Sequence, residues 1–200
     1  REVEWSKSFP GKKPVDKSSG TADAQDKTIL NWKLTVGSPN ETDTANKING
    51  KQLTDTWTYD PTITGVSLVE DNITVTLYDF NGQTRTLTGE QAKACFTEKT
   101  ESGFKFTVPN PSDFDVKYCT VDYKTKCTMT EDAASNNQTG NVYNGADFDH
   151  SHADGSGTAG GKGEVYLPDM STSKSVEDLG GVLHYTITVQ VPKEYIGNQS

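Results

Sequence analysis

Three polar residues stand where the alternation of an extended chain calls for an apolar side chain. Successive side chains of a β-strand point to opposite faces, so residues two apart share a face. Val3, Trp5, Lys7 and Phe9 make one such set; Leu53, Asp55, Trp57 and Tyr59 make a second; Val142, Asn144 and Ala146 make a third. An amine, a carboxyl and a carboxamide are thereby predicted to face an apolar interior. Each alone would cost on the order of several kcal/mol to bury. Together they make chemical sense. Desolvation lowers the pKa of a lysine and raises that of a carboxyl, so a neutral amine can sit beside a protonated acid. A neutral amine is a nucleophile, and a carboxamide carbon is its target. The acid polarises the carbonyl and passes a proton to the departing ammonia. The product is an amide between two side chains, formed once and without a cofactor.

The elements that must position these residues read as short strands. Thr28–Val36 places Leu30, Trp32, Leu34 and Val36 on one face with Asn31, Lys33 and Thr35 opposite. Val3–Phe9, Gln52–Tyr59, Asn72–Tyr78, Thr84–Thr88, Phe104–Val108, Tyr118–Met129, Asn141–Ala146 and Leu183–Val191 alternate similarly, and Glu164–Leu167 is a shorter candidate. Turn signals punctuate them: Phe9-Pro-Gly, Ser38-Pro-Asn, Asn49-Gly, Asn81-Gly and Pro109-Asn-Pro. Gly89–Phe96 alone resembles a helical turn. Trp57, Tyr59 and Tyr78 are expected to point inward, which leaves no spare aromatic stripe on the surface. Many short strands with regular turns predict an all-β sandwich. The stretch 150–163, HSHADGSGTAGGKG, is rich in Gly, Ser and Ala and reads as a linker or long loop. The expected organisation is therefore a domain over 1–149, a linker over 150–163, and a β-hairpin or the opening strands of a second β unit over 164–200.

Composition agrees. The 200 residues include 27 Thr, 18 Gly and 8 Pro, a β-protein composition. Hydrophobic residues make up 32%, mean hydropathy is −0.70, and no apolar run approaches the roughly 18 residues of a membrane-spanning helix. The net charge of −9 repels phosphate backbones and argues against a nucleic-acid partner. Cys95, Cys119 and Cys127 show no C-x-x-C spacing, so neither a zinc knuckle nor a redox motif is offered. Either three buried thiols or a single disulfide that includes Cys95 fits the spacing.

The order of the motifs carries a resemblance. An inward lysine, then Trp32-x-Leu34-x-Val36, then Leu53-Thr-Asp-Thr-Trp57, then Tyr118–Met129 (YCTVDYKTKCTM) and Asn141-Val-Tyr-Asn144-Gly-Ala146 resemble the immunoglobulin-like domains of Gram-positive surface adhesins and pilins. The closer likeness is to the collagen-adhesin type with a self-generated Lys–Asn isopeptide bond, and it covers roughly residues 1–149. The resemblance implies an immunoglobulin-like sandwich of the adhesin type. It implies Lys7 as the bond-forming lysine, Asp55 as the acid and Asn144 as the bond-forming asparagine. It further implies an extracellular, cell wall-anchored location. The partners it implies are neighbouring domains of the same chain and a host matrix or surface ligand, with no membrane insertion. The long gap from Lys7 to Trp32 departs from the pattern. Lys12, Lys13, Lys17 and Lys27 thus compete with Lys7 for the amine role, and Asn141 or Asn198 with Asn144. The bland alternative is that Lys7 snorkels from an edge strand and Asp55 caps a turn.

Weaker signals remain. Asp147, Asp149, His150, His152 and Asp154 have the colouring of a metal site but not the spacing of a calcium loop, so no metal is expected. No nucleophile elbow, zinc-protease or phosphate-loop motif is present, and no enzyme with turnover is expected. Two functions are compatible with these residues: a structural stalk or pilus domain tied by the cross-link, and a ligand-binding adhesin module without one.

Overall fold

The computed structural model describes residues 14–160 and, separately, two strands, Thr172–Asp178 and Leu183–Val189. The expected strands Val3–Phe9 and Glu164–Leu167 lie outside the described residues, as do Lys7, Lys12, Lys13 and Asn198.

Two antiparallel sheets face each other. The first contains β1 (Val15–Lys17), β2 (Thr21–Ala22), β3 (Ile29–Gly37), β5 (Ile63–Asp79), β6 (Thr84–Leu87) and β9 (Val116–Met129). Its order is β1-β3-β9-β5-β6, with β2 also paired to β3. The second contains β4 (Gln52–Tyr59), β7 (Phe96–Thr100), β8 (Gly103–Thr107), β10 (Thr139–Phe148) and β11 (Ser151–Gly160), in the order β11-β10-β4-β8-β7. This is an immunoglobulin-like β-sandwich. The expected alternation holds where it matters: Leu30, Trp32, Leu34 and Val36 of β3 are buried, and Leu53, Asp55 and Trp57 of β4 are buried on one face while Thr54 and Thr56 are exposed. Among the described residues helical structure is limited to short pieces. They include α1 (Gly89–Lys93), where the sequence suggested one, and α2 (Glu131–Ser135), whose start is capped by the Thr130 hydroxyl accepting from the Ala133 amide at 3.1 Å.

Two expectations change, and the open choice between three thiols and a disulfide is settled. The stretch 150–163 is not a linker throughout: Ser151–Gly160 is a strand, paired residue for residue with β10 from Phe148↔Ser151 to Thr139↔Gly160. The two-residue turn between them, Asp149-His150, has positive φ at both positions, 48° and 61°, which matches the twist of an antiparallel hairpin. The sandwich therefore continues past residue 149. Tyr78 points outward, because Ile73, Val75 and Leu77 take the inward phase of β5. It stacks on its cross-strand partner Tyr118, with ring centroids 4.3 Å apart and planes 4° from parallel. All three cysteines are buried free thiols.

Residues 164–200 form a separate unit. Within it, β12 (Thr172–Asp178) and β13 (Leu183–Val189) pair antiparallel, from Asp178↔Leu183 to Thr172↔Val189.

Candidate functional site

Asp55 and Asn144 come from adjacent strands of one sheet. Asp55 on β4 is directly opposite Ala146 on β10, and Asn144 is two residues from Ala146. The two therefore share the inner face as diagonal neighbours. The amine arrives from the other sheet. Lys17 ends β1 and pairs with Leu34 of β3, while Trp32 and Tyr123 are themselves a cross-strand pair of β3 and β9. The period-two alternation of β3 and β9 turns Leu34, Trp32, Val121 and Tyr123 inward together.

The four polar side chains meet in the buried centre of the sandwich. Lys17 is 6% exposed, Asp55 0%, Tyr123 2% and Asn144 1%. The Lys17 ammonium nitrogen contacts Asp55 Oδ2 and donates to the Tyr123 hydroxyl at 2.8 Å. The Tyr123 hydroxyl donates to Asp55 Oδ2 at 3.2 Å and accepts from Asn144 Nδ2 at 2.9 Å. Aromatic rings wall the site. Phe104 meets the Tyr123 ring edge-on at 5.4 Å, Phe96 lies 6.5 Å from it, and the Lys17 nitrogen lies 5.9 Å from the Trp32 ring. A backbone feature keeps β8 close to the acid. Gly103 has φ +152°, and a Cβ there would lie 1.9 Å from the Asp55 carbonyl oxygen.

Electrostatics follow from burial. Desolvation pushes the Asp55 carboxyl up from its ordinary value, outweighing Lys17 and the hydrogen bonds of Tyr123 and Asn144, which pull the other way. Desolvation likewise pushes the Lys17 amine down, against the attraction of Asp55 and, more remotely, Asp154. Both shifts favour the neutral forms. Two buried oxygens, Asp55 Oδ1 and Asn144 Oδ1, have no hydrogen-bond partner. Two acceptors cannot satisfy each other while Asp55 is ionised. A protonated Asp55 has a donor of its own and buries no net charge, so it costs less there than a carboxylate with an unpartnered oxygen.

The site thus brings together the expected Asp55 and Asn144 with one of the competing lysines, Lys17. Lys27 sits in the turn before β3, half-buried, where its carbonyl accepts from the Gly160 amide. Asn141 is on the outer face of β10 and its side chain accepts from Thr158 at 2.7 Å. Tyr123 was not anticipated: an aromatic in the inward phase of a strand reads as core, and only its hydroxyl distinguishes it. His152 is held on the surface between two carboxylates, Nδ1 2.8 Å from Asp147 and Nε2 2.6 Å from Asp154. Among the described residues no group of three His, Cys, Asp or Glu side chains is placed to hold a metal ion.

No family model matches the chain, and no curated protein matches it. Solved structures do. The collagen-binding subdomain of the Enterococcus faecalis surface protein ACE is 15% identical, with 74% of this chain and 94% of that one covered at a TM-score of 0.40. The collagen-binding domain of the Erysipelothrix rhusiopathiae surface protein RspB is 16% identical, with 74% and 49% covered at 0.42. The group B streptococcus pilus 2b backbone protein is 14% identical, with 88% and 75% covered at 0.36.

Proposed function

We propose that this chain is a structural domain of a cell-surface adhesin or pilus, stiffened by an amide bond that it forms itself between Lys17 and Asn144. The observation that carries the reading is the burial of an amine, a carboxyl and a carboxamide in one contact, with one oxygen of the carboxyl and the carbonyl oxygen left without partners. A resting ion pair leaves both oxygens unexplained; a reacting trio accounts for them.

The chemistry balances within the trio. The neutral Lys17 Nζ attacks Asn144 Cγ while protonated Asp55 stabilises the carbonyl oxygen. The tetrahedral adduct loses a proton from Nζ, the bond from Cγ to Nδ2 breaks, and Asp55 relays the proton so that ammonia departs. One C–N bond replaces another, the acid is regenerated, and the mass falls by about 17 Da, one ammonia. Because the nucleophile is consumed, there is a single turnover.

The bond would join β1 of one sheet to β10 of the other, so tension along the chain would load a covalent link rather than the hydrogen-bond ladder. Tyr143, 49% exposed, is the single exposed large hydrophobic among the described residues. A scarcity of exposed apolar surface favours a stalk over a module that grips a ligand. The surface location and the neighbouring domains of the same chain as partners follow from this reading.

Intact mass on the reduced protein tests it. The parent is expected to be about 17 Da light while Asp55→Ala has its full mass, and tandem fragmentation should join Lys17 to Asn144. A parent of full mass would overturn the cross-link. A bond to a different lysine would overturn the assignment of Lys17.

A further inference from the structure

Tyr123 touches, through its hydroxyl, each of the other three polar side chains of the site. Its hydroxyl oxygen accepts from both nitrogens that exchange places in the reaction, Lys17 Nζ at 2.8 Å and Asn144 Nδ2 at 2.9 Å. Its proton goes to Asp55 Oδ2 at 3.2 Å. Accepting from the incoming and the outgoing nitrogen, it holds both to a single atom. We infer that Tyr123 is the positioning residue of the cross-linking step, orienting the Asn144 carboxamide so that its nitrogen leaves from the phenol side and its carbonyl oxygen is free for Asp55. The inference rests on the Lys17–Asn144 reading above.

The hydrogen-bond inventory supports the orientation. A phenol has one proton, and here it is committed to the carboxyl. The oxygen of Tyr123 can then only accept, so of the two faces of the carboxamide only the NH2 fits against it. The carbonyl oxygen is turned away from Tyr123 and is the atom left without a partner, as is Asp55 Oδ1. The ring packs against the adjoining Phe96 and Phe104 of the opposite sheet and has the Lys17 nitrogen 5.4 Å from its centroid. A group locked by packing on one side and holding two reactants on the other converts a loose encounter into a fixed geometry.

Proteins made by cell-free synthesis and chased over time by intact mass test this: the full parent chain, Tyr123→Phe, and a series of chains carrying tyrosine with one, two or three ring fluorines at position 123. Phenylalanine keeps the ring and its packing. Ring fluorination keeps the oxygen but acidifies the phenol, making it a progressively poorer acceptor and stronger donor as fluorines are added. Positioning predicts that Tyr123→Phe loses ammonia about 10- to 100-fold more slowly than the parent, and that the fluorinated series slows in a graded way. A purely structural tyrosine would leave the fluorinated rates at the parent's value, a result that overturns the inference even where Tyr123→Phe misfolds. A parent that loses ammonia alongside variants that match its rate would sink the role of Tyr123 and leave the cross-link standing. A parent that never loses ammonia removes both.

Discussion

Gly155 and Lys17 occupy the same space from opposite sheets. Gly155 is the cross-strand partner of Asn144, and a Cβ on it would lie 3.2 Å from Lys17 Cγ and 2.4 Å from the Ser18 carbonyl oxygen. The lysine stem crosses β11 where a side chain is missing. The glycines of β11 therefore serve close approach. Gly20 and Gly157, bridged in parallel a few residues on, continue the same contact, with 2.8 Å between a Cβ on Gly157 and the Gly20 carbonyl oxygen.

Gly155→Ala should accordingly push β1 off β11 and lift the amine from the site. The Ser18 obstacle is backbone and cannot rotate away. A cost of about 1–3 kcal/mol is expected, together with a smaller cross-linked fraction by intact mass. Gly65→Ala, where a Cβ meets open space, serves as control and should change neither. An unchanged cross-linked fraction in Gly155→Ala would count against the close-packing account.

Asn144→Ala should unlink the sheets and show what the bond contributes. Joining Lys17 to Asn144 closes a loop of about 130 residues, for which the chain-entropy relation used for disulfides gives about 5 kcal/mol. At roughly 2–4 °C per kcal/mol for a domain of this size, the melting temperature should fall by about 10–20 °C. Calorimetry of parent and variant, both reduced, decides it; a shift of about 2 °C or less would argue that the parent is not linked.

The rate of linking should be bell-shaped in pH. The titratable groups around the reaction are Lys17 and Asp55, with Tyr123 between them and Asp154 farther off. Burial lowers the amine and raises the carboxyl, so the pair can hold one shared proton as amine and carboxylic acid. At lower pH the pair takes up a second proton, on the amine, which then ceases to be a nucleophile. At higher pH the carboxyl loses its proton and ceases to be an acid. The two limbs belong to the pair as a whole. Time courses of ammonia loss across pH check this; a rate that rises monotonically with pH would deny Asp55 its role as acid.

His152 gives the β10–β11 hairpin a separate pH dependence. Its cross-strand partner Asp147 and then Asp154 raise its pKa above the ordinary 6.5. A raised folded value means the contribution is fully present below pH 6.5 and is lost as pH rises through the folded value. The group is exposed, so the effect on stability should be small. An NMR titration of the His152 ring should show a pKa above 6.5 in the parent, moved back towards it in Asp147→Asn. An unshifted ring in the parent would remove the hairpin's pH dependence.

The division between what the chain announces and what only its folding reveals can be traced through four residues and one segment. Asp55 and Asn144 were legible because each interrupts an apolar phase in a strand long enough to have one: β4 spans eight residues and β10 ten. The sandwich itself was legible for the same reason. Lys17 was not singled out, because β1 is three residues long, Val15-Asp16-Lys17, and its burial pattern has too few positions to register as a period. Tyr123 was hidden by its ring, which any core would accept; its function lies in a hydroxyl whose three partners come from β1, β4 and β10. The Gly-rich stretch 151–160 was misread because glycine signals flexibility when nothing is known of its neighbours, yet here it marks the approach of another strand's backbone. Alternation along one strand is a local property that the sequence carries in full. Which lysine and which hydroxyl converge on Asp55, and which glycines make room for the lysine, depends on strands up to about 130 residues apart, and was decided only when the two sheets packed.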